Sequence, residues 1–221
     1  MAVSRTGQAK ERSMSIAIIG AGNVGQALAQ ALASKGESVF LGVPEPEKYR
    51  AAVRALGERV RIGTANASIA ASEVVILAVP YSAADSIARS IPDWQGRILV
   101  DATNPLAPGL AGLSVGTTTS GAEEIAKAAR GARVVKAFNT TGAENMADSR
   151  YPGGTVFMPV CGDDGEARSR VVALAALIGF DAVDCGDLKT ARYLEPFAMT
   201  WIHMAIKLGH GRRFAFARLQ R

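Results

Sequence analysis

Residues 14–36, MSIAIIGAGNVGQALAQALASKG, decide the fold. The apolar run from Ser15 to Ile19 reads as a buried parallel strand. It leads directly into Gly20-Ala21-Gly22-Asn23-Val24-Gly25, a G-x-G-x-x-G turn. Beyond the turn, Val24, Leu28, Ala31 and Leu32 fall on one face of a helix. Strand, glycine turn and helix in that order are the context a dinucleotide-binding fingerprint requires, whereas the bare glycine spacing also serves ordinary turns. Gly20 is expected to make the tight turn, Gly22 to let the backbone approach a pyrophosphate, and Gly25 to seat the helix close on the strand. The free N–H groups and partial positive charge of the helix start would then face the phosphates.

The alternation continues along the chain. Residues 38–42 read as a second strand, 47–56 as a helix, 60–62 as a short third strand and 65–71 as a brief helix. The fourth strand, 73–79 (EVVILAV), is apolar enough to be buried on both faces and ends at Pro80. Ser82-Ala83-Ala84-Asp85 has capping-box spacing with Asp in the place of Glu, which predicts a helix start. A fifth strand over 97–101, a helix opened by Ser120-Gly121-Ala122-Glu123, and a sixth strand over 133–137 complete the series. Such a series describes a doubly wound, mainly parallel α/β sheet. Residues 155–161 and 180–184 read as further strands that could extend the same sheet. Between them lies a helix capped at Asp163-Asp164-Gly165-Glu166.

The expected layout is a disordered tail over 1–13, a nucleotide-binding domain over 14–186 and a C-terminal helical extension over 187–221. The last helix begins near Leu188 and places Leu194, Phe197, Ala198, Trp201, Ile202, Ala205 and Leu208 on one face. That face needs cover, either from the chain's own sheet or from a second subunit. Pro196 is expected to kink this helix or to mark the start of its second half.

The chain has 221 residues, 48% of them hydrophobic, enough for one sizeable domain with an appendage. No stretch approaches the roughly 18 apolar residues of a membrane span. Residues 1–13 lack the apolar region of a secretory signal. A cytoplasmic protein without a membrane partner is expected. The net charge of +5 sits at the two ends, and residues 14–206 are slightly acidic. A nucleic-acid footprint belongs on the folded body, so nucleic acid is not an expected partner. The basic end, with Arg212 and Arg213, reads either as a solvated terminus or as a dock for an anionic ligand or a partner subunit. Cys161 and Cys185 form no C-x-x-C and are expected to be buried free thiols. His203 and His210 have no metal-ligand spacing, so no metal is expected.

Five further segments carry a resemblance: Ala78-Val79-Pro80; Asp101-Ala102-Thr103-Asn104-Pro105-Leu106; Val134-Val135-Lys136-Ala137-Phe138-Asn139-Thr140; Pro159-Val160-Cys161-Gly162-Asp163-Asp164; and Asp184 to Leu188 with Ala191-Arg192-Tyr193-Leu194-Glu195. In this order and spacing the chain resembles the NADPH:coenzyme F420 oxidoreductases, or F420-dependent NADP reductases. The V-K-A-F-N segment is also similar to the oxidoreductase domain of the six-transmembrane metalloreductases. The resemblance covers about residues 14–208 and implies a Rossmann fold with a short C-terminal extension, usually homodimeric. It also implies direct hydride transfer between a nicotinamide and a deazaflavin (coenzyme F420) or flavin-type acceptor. The cofactors carry that chemistry, and the protein aligns their rings.

The resemblance assigns site residues position by position. Gly20, Ala21, Gly22, Asn23, Val24 and Gly25 match the pyrophosphate loop. Ala78, Val79 and Pro80 match the strand end beneath the ribose and nicotinamide. Asn104 and Pro105 match the loop after the fifth strand, and Ala137, Phe138 and Asn139 the segment flanking the nicotinamide. Asn139 is a candidate orienter. No catalytic nucleophile or general base is implied. Pro80 and Pro105 also suit plain strand ends, and Phe138 also suits plain core.

An NAD-binding fold usually carries an acid about 20 residues past the glycines, at the end of the second strand. Here that end is Phe40-Leu41-Gly42-Val43, without an acid, which favours NADP(H) over NAD(H). The family's signature there is Ser-Arg-x-x-x-Lys. This chain has Val43-Pro44 and then Lys48, so the lysine is kept while the hydroxyl and the guanidinium fork are lost. Two other readings stay open. One is an imine or hydroxyacid reductase, although those relatives usually append a substantial helical domain and only residues 187–221 follow the last strand here. The other is a non-catalytic dinucleotide-binding module that senses redox state.

Overall fold

The computed structural model describes residues 15–221; the tail expected over 1–13 lies outside the described residues. The glycine unit is the first turn of the wind: β1 (Ser15–Ile19), then α1 (Asn23–Ser34). Five more units follow in the order β2 (Ser38–Gly42), α2 (Pro46–Arg54), β3 (Val60–Gly63), α3 (Ala65–Ala70), β4 (Val74–Leu77), α4 (Tyr81–Ser90), β5 (Ile98–Asp101), α5 (Gly121–Ala128) and β6 (Arg133–Lys136). Helix α6 (Ala143–Ala147) and a short hairpin, β7 (Arg150–Tyr151) with β8 (Gly154–Thr155), lead to β9 (Phe157–Gly162), α7 (Gly165–Leu177) and β10 (Asp181–Asp184). The chain closes with α8 (Ala191–Ile202) and a π-helical turn (His203–Lys207).

The main sheet has eight strands in the order β10-β9-β6-β5-β4-β1-β2-β3. Strands β1 to β6 all run parallel to one another, the pattern of a doubly wound Rossmann sheet. The later units do extend the sheet, but β9 runs antiparallel to β6, with Lys136 opposite Cys161, and β10 runs parallel to β9. Alternate residues along each strand face opposite layers. Ile16, Ile18, Val74, Ile76 and Val100 pack under α1, α6 and α7 through Leu28, Leu32, Met146, Val171 and Leu174. Ala17, Ile19, Val75, Leu77 and Leu99 pack under α3, α4, α5 and α8 through Ile69, Ala84, Ala88, Ile125 and Leu194.

Caps fix two of the helices as their sequences predict. Ser120 accepts from the Glu123 N–H and its hydroxyl donates to the Glu123 carboxylate, so the N-cap and N3 side chains meet directly. Asp164 accepts from the Ala167 N–H at 2.7 Å. The capping box expected at Ser82–Asp85 does not form. Helix α4 starts one residue earlier, at Tyr81 after Pro80, and Asp85 pairs instead with Arg89 one turn on. Helix α8 runs unbroken through Pro196, so no second start falls there. Cys161 is buried in β9, whereas Cys185 is only half-buried at the end of β10.

The cover for α8 comes from the last residues of the same chain. Trp201 stacks on Phe214 at 5.3 Å and donates from Nε1 to its carbonyl. Phe197 lies 4.8 Å from Phe216, whose carbonyl accepts from the Phe157 N–H on β9. Arg218 pairs with Asp181, and Arg212 with Glu144. Residues 214–216 of the basic terminus thus form a packed flap, with exposed residues on either side.

Candidate active site

The parallel strands deliver their carboxyl ends to one edge of the sheet, where ligands of open α/β folds bind. From β6 across β5, β4 and β1 to β2, that edge covers four interstrand steps, roughly 19 Å. Along it lie Ala137–Asn139, Asn104 and Pro105, Ala78–Pro80, the glycine turn and the start of α2 with Lys48. The structure thus brings together the segments singled out in the sequence.

At the glycine turn, Gly20 has φ +108°, and a Cβ there would stand 2.5 Å from the Ala78 carbonyl oxygen. A Cβ on Gly25 would meet the Gly20 oxygen at 2.0 Å, so α1 can approach β1 only with glycine at both places. Gly22 and Asn23 are exposed and Gly22 faces open space, while Ala21 and Gly25 are buried. The first N–H groups of α1 have no side-chain cap and remain available to an anion.

Ala78 and Val79 are half-buried where β4 ends, Pro80 is exposed, and Pro105 is buried. Phe138 holds φ +60°, a strained conformation for a bulky residue. Its N–H donates to the Met158 sulfur, and its ring is buried edge-on against Phe180 at 6.3 Å. The segment therefore offers the groove its backbone and the Asn139 carboxamide, while the Phe138 ring serves the core. Asn104 Nδ2 donates to the Asn139 carbonyl at 2.9 Å, and Asn139 Nδ2 donates to Asn104 Oδ1 at 3.0 Å and to the Leu194 carbonyl. Asn139 Oδ1 is buried without a hydrogen-bond partner. A buried unmet acceptor costs stability, so its place at the strand ends is a functional signal.

Lys48 does not stand free. Its ammonium pairs with Glu45 at 2.7 Å, and Arg50 pairs with Glu47, both at the exposed start of α2.

Sequence reasoning did not anticipate the charge network beneath this edge. Lys136 is fully buried and bonds Asp101 at 2.8 Å, Glu195 at 2.8 Å and the Thr103 carbonyl at 2.7 Å. Asp101 also accepts from the Thr103 N–H and hydroxyl. Glu195 also accepts from the N–H groups of Gly121 and Ala122 at the start of α5. Burial opposes the Lys136 charge, but the two carboxylates outweigh it and raise its pKa. The available signal was a lysine that follows directly on Val134-Val135 and precedes Ala137-Phe138, and a lone acid within α8. Tyr81 stands close by, its ring next to Gly121 and its pKa raised by burial and then by Asp85, Glu124, Glu195 and Asp101.

A cleft of about 750 Å³ opens between residues 110–117 and α8, lined by Leu110, Leu113, Pro196, Met199, Thr200 and His203. Pro196 in its wall follows directly on Glu195 of the buried network. A second hollow, about 540 Å³, lies at the opposite edge of the sheet. Its Arg97 and Arg133 are spent on backbone carbonyls and carboxylates. Among the described residues no group of His, Cys, Asp and Glu suits a metal ion, and no helix is long and apolar enough to cross a membrane.

Comparison with known proteins agrees with this geometry. The family model described as NADP oxidoreductase, coenzyme F420-dependent, matches residues 15–105. The F420-dependent NADP reductase of Methanothermobacter marburgensis is 34% identical over 210 residues, covering 88% of this chain and 93% of that protein. The metalloreductase STEAP3 of Rattus norvegicus is 28% identical over 184 residues, covering 83% of this chain and 36% of that protein. A candidate F420-dependent NADP reductase of Arthrobacter sp. FB24 superposes with a TM-score of 0.77 at 31% identity, over 93% of this chain and 100% of that one.

Proposed function

Because the chain belongs to the family of coenzyme F420-dependent NADP oxidoreductases, we propose that it passes a hydride between NADP(H), held along the strand ends, and a deazaflavin or flavin-type acceptor. The observation that carries this reading is Asn139 Oδ1, a buried acceptor that the protein leaves unmet at the carboxyl end of β6. An amide N–H donor, such as a nicotinamide carboxamide, would meet it.

The residues present fit a nicotinamide dinucleotide. The open face at Gly22 and the uncapped N–H groups of α1 suit the pyrophosphate. Ala78, Val79 and Pro80 form an apolar ledge for ribose and ring. Asn104 and Asn139 fix each other and so hold the carboxamide acceptor in place. Lys48 would serve a 2′-phosphate once released from Glu45. When bound, the nicotinamide supplies the hydride, and the chain contributes binding, orientation and exclusion of water. The apolar-walled cleft beside α8 suits a planar acceptor.

Purified protein is titrated with NADPH and coenzyme F420, and separately with NADPH and FMN. Turnover with one of them supports the proposal, and no turnover with either contradicts it. The pairing of Lys48 with Glu45 and Arg50 with Glu47 favours one other reading, a dinucleotide-binding redox sensor. Tight dinucleotide binding without hydride transfer to any acceptor would mark that case. A homodimer belongs to the same proposal, since Tyr193, Ile206 and Leu208 remain exposed. Solution mass reads it directly.

A further inference from the structure

The network of Asp101, Lys136 and Glu195 contains only donors facing carboxylate oxygens. Asp101 accepts from Lys136 and twice from Thr103. Glu195 accepts from Lys136, Gly121 and Ala122. The Lys136 ammonium spends its donors on Asp101, Glu195 and the Thr103 carbonyl. The cluster joins two acids to one base, a formal excess of one negative charge. The start of α5 offsets only about half of it. All three side chains are at most 1% exposed, so solvent and salt screen the charge weakly.

Stability alone does not account for such a cluster, because buried ion triads are often matched by well-packed apolar residues. Its location gives it a use. Asp101 ends β5 three residues before Asn104, and Lys136 ends β6 directly before Ala137–Asn139. The negative charge is also felt on Tyr81, at the wall of the same edge.

We infer that this buried charge selects between the two redox forms of the cofactor. It favours the oxidised nicotinamide, which is cationic, over the reduced ring, which is neutral, and so makes the bound reduced cofactor a stronger hydride donor. Asp101, Lys136 and Glu195 act at a distance, as positioning residues that also set the potential. The inference rests on the reading that the nicotinamide lies at these strand ends.

Dissociation constants of NADP⁺ and NADPH are measured by protein fluorescence for the wild type, Glu195→Gln and Asp101→Asn. Each substitution removes one negative charge and leaves Lys136 a partner. Both should weaken NADP⁺ by about five- to tenfold relative to NADPH, the size of a unit charge acting over ~10 Å at a partly screened site. Glu195→Asp keeps the charge and should keep the ratio. A merely structural role would weaken both forms alike, and an unchanged ratio in both variants overturns the inference. If neither variant folds, the wild type decides: NADP⁺ should bind more tightly than NADPH, and the reverse order overturns the inference. A wild type that binds neither form would instead defeat the functional reading itself.

Discussion

Asn104 and Asn139 hold each other across the ends of β5 and β6, Nδ2 of the first on the carbonyl of the second at 2.9 Å and Nδ2 of the second on Oδ1 of the first at 3.0 Å. The arrangement uses both N–H groups of the Asn139 carboxamide and one of Asn104, and leaves Asn139 Oδ1 as the unmet acceptor. Asn139→Leu deletes that acceptor while nearly keeping the volume. NADPH should bind about tenfold more weakly, the loss of one buried hydrogen bond. Folding stability should fall by about 1–2 kcal/mol, because Asn104 Oδ1 and the Leu194 carbonyl lose their donor while one unmet acceptor is removed. Calorimetric titration and urea unfolding read the two effects separately. Equal affinities in variant and wild type would remove Asn139 from the binding site.

In the proposed binding mode the start of α2 sets the cofactor's 2′-phosphate preference. Lys48 and Glu45 pair with both side chains largely exposed. Glu45→Gln frees the lysine and should tighten NADPH, but not NADH, by about threefold at low salt. Lys48→Ala should weaken NADPH selectively. Affinity for NADPH that ignores both substitutions would place the 2′-phosphate elsewhere.

The C-terminal flap is structural. Removing residues 211–221 strips Phe214 from Trp201, Phe216 from Phe197 and Arg218 from Asp181. The truncated protein should lose about 3 kcal/mol of stability, with a red shift in tryptophan emission. An unchanged melting temperature, with an acceptor Michaelis constant raised in a salt-dependent way, would return the flap to the role of an anion dock.

Burial pushes the Cys161 thiol up to about 12, well above its ordinary value of 9.0. The unfolded chain loses this proton above pH 9.0 and the folded chain holds it to about pH 12, so stability falls as pH rises through that window. Each pH unit inside it costs about 1.4 kcal/mol for one full proton. Cys161→Ala should flatten the fall between pH 9 and 10, as followed by urea unfolding. A slope equal to that of the wild type would show that Cys161 does not titrate with unfolding.

Local signals made the nucleotide-binding half readable. Gly20 and Gly25 stand where only glycine fits, and Ser120 and Asp164 cap the helices they precede. Where two local signals competed, the reading slipped. Pro80 and Tyr81 start α4 ahead of Ser82, and Asp85 finds Arg89 at helical spacing. Strand direction was out of reach at β9, because alternation of apolar residues looks the same in either direction. Lys136 and Glu195 are 59 positions apart in the chain, and only the fold brings their opposite charges together. Phe214 and Phe216 alternate within a stretch dominated by arginines, whose charge pattern hides the contact of Phe216 with β9.

The central claim is direct hydride transfer between two rings held at the strand ends. NADPH deuterated at both C4 positions, mixed with the protein and coenzyme F420 in ordinary water, tests it most directly. The account predicts deuterium at the carbon of the reduced deazaflavin that accepts the hydride. NADPH that binds but is not oxidised, or a reduced acceptor carrying only solvent hydrogen, would contradict it.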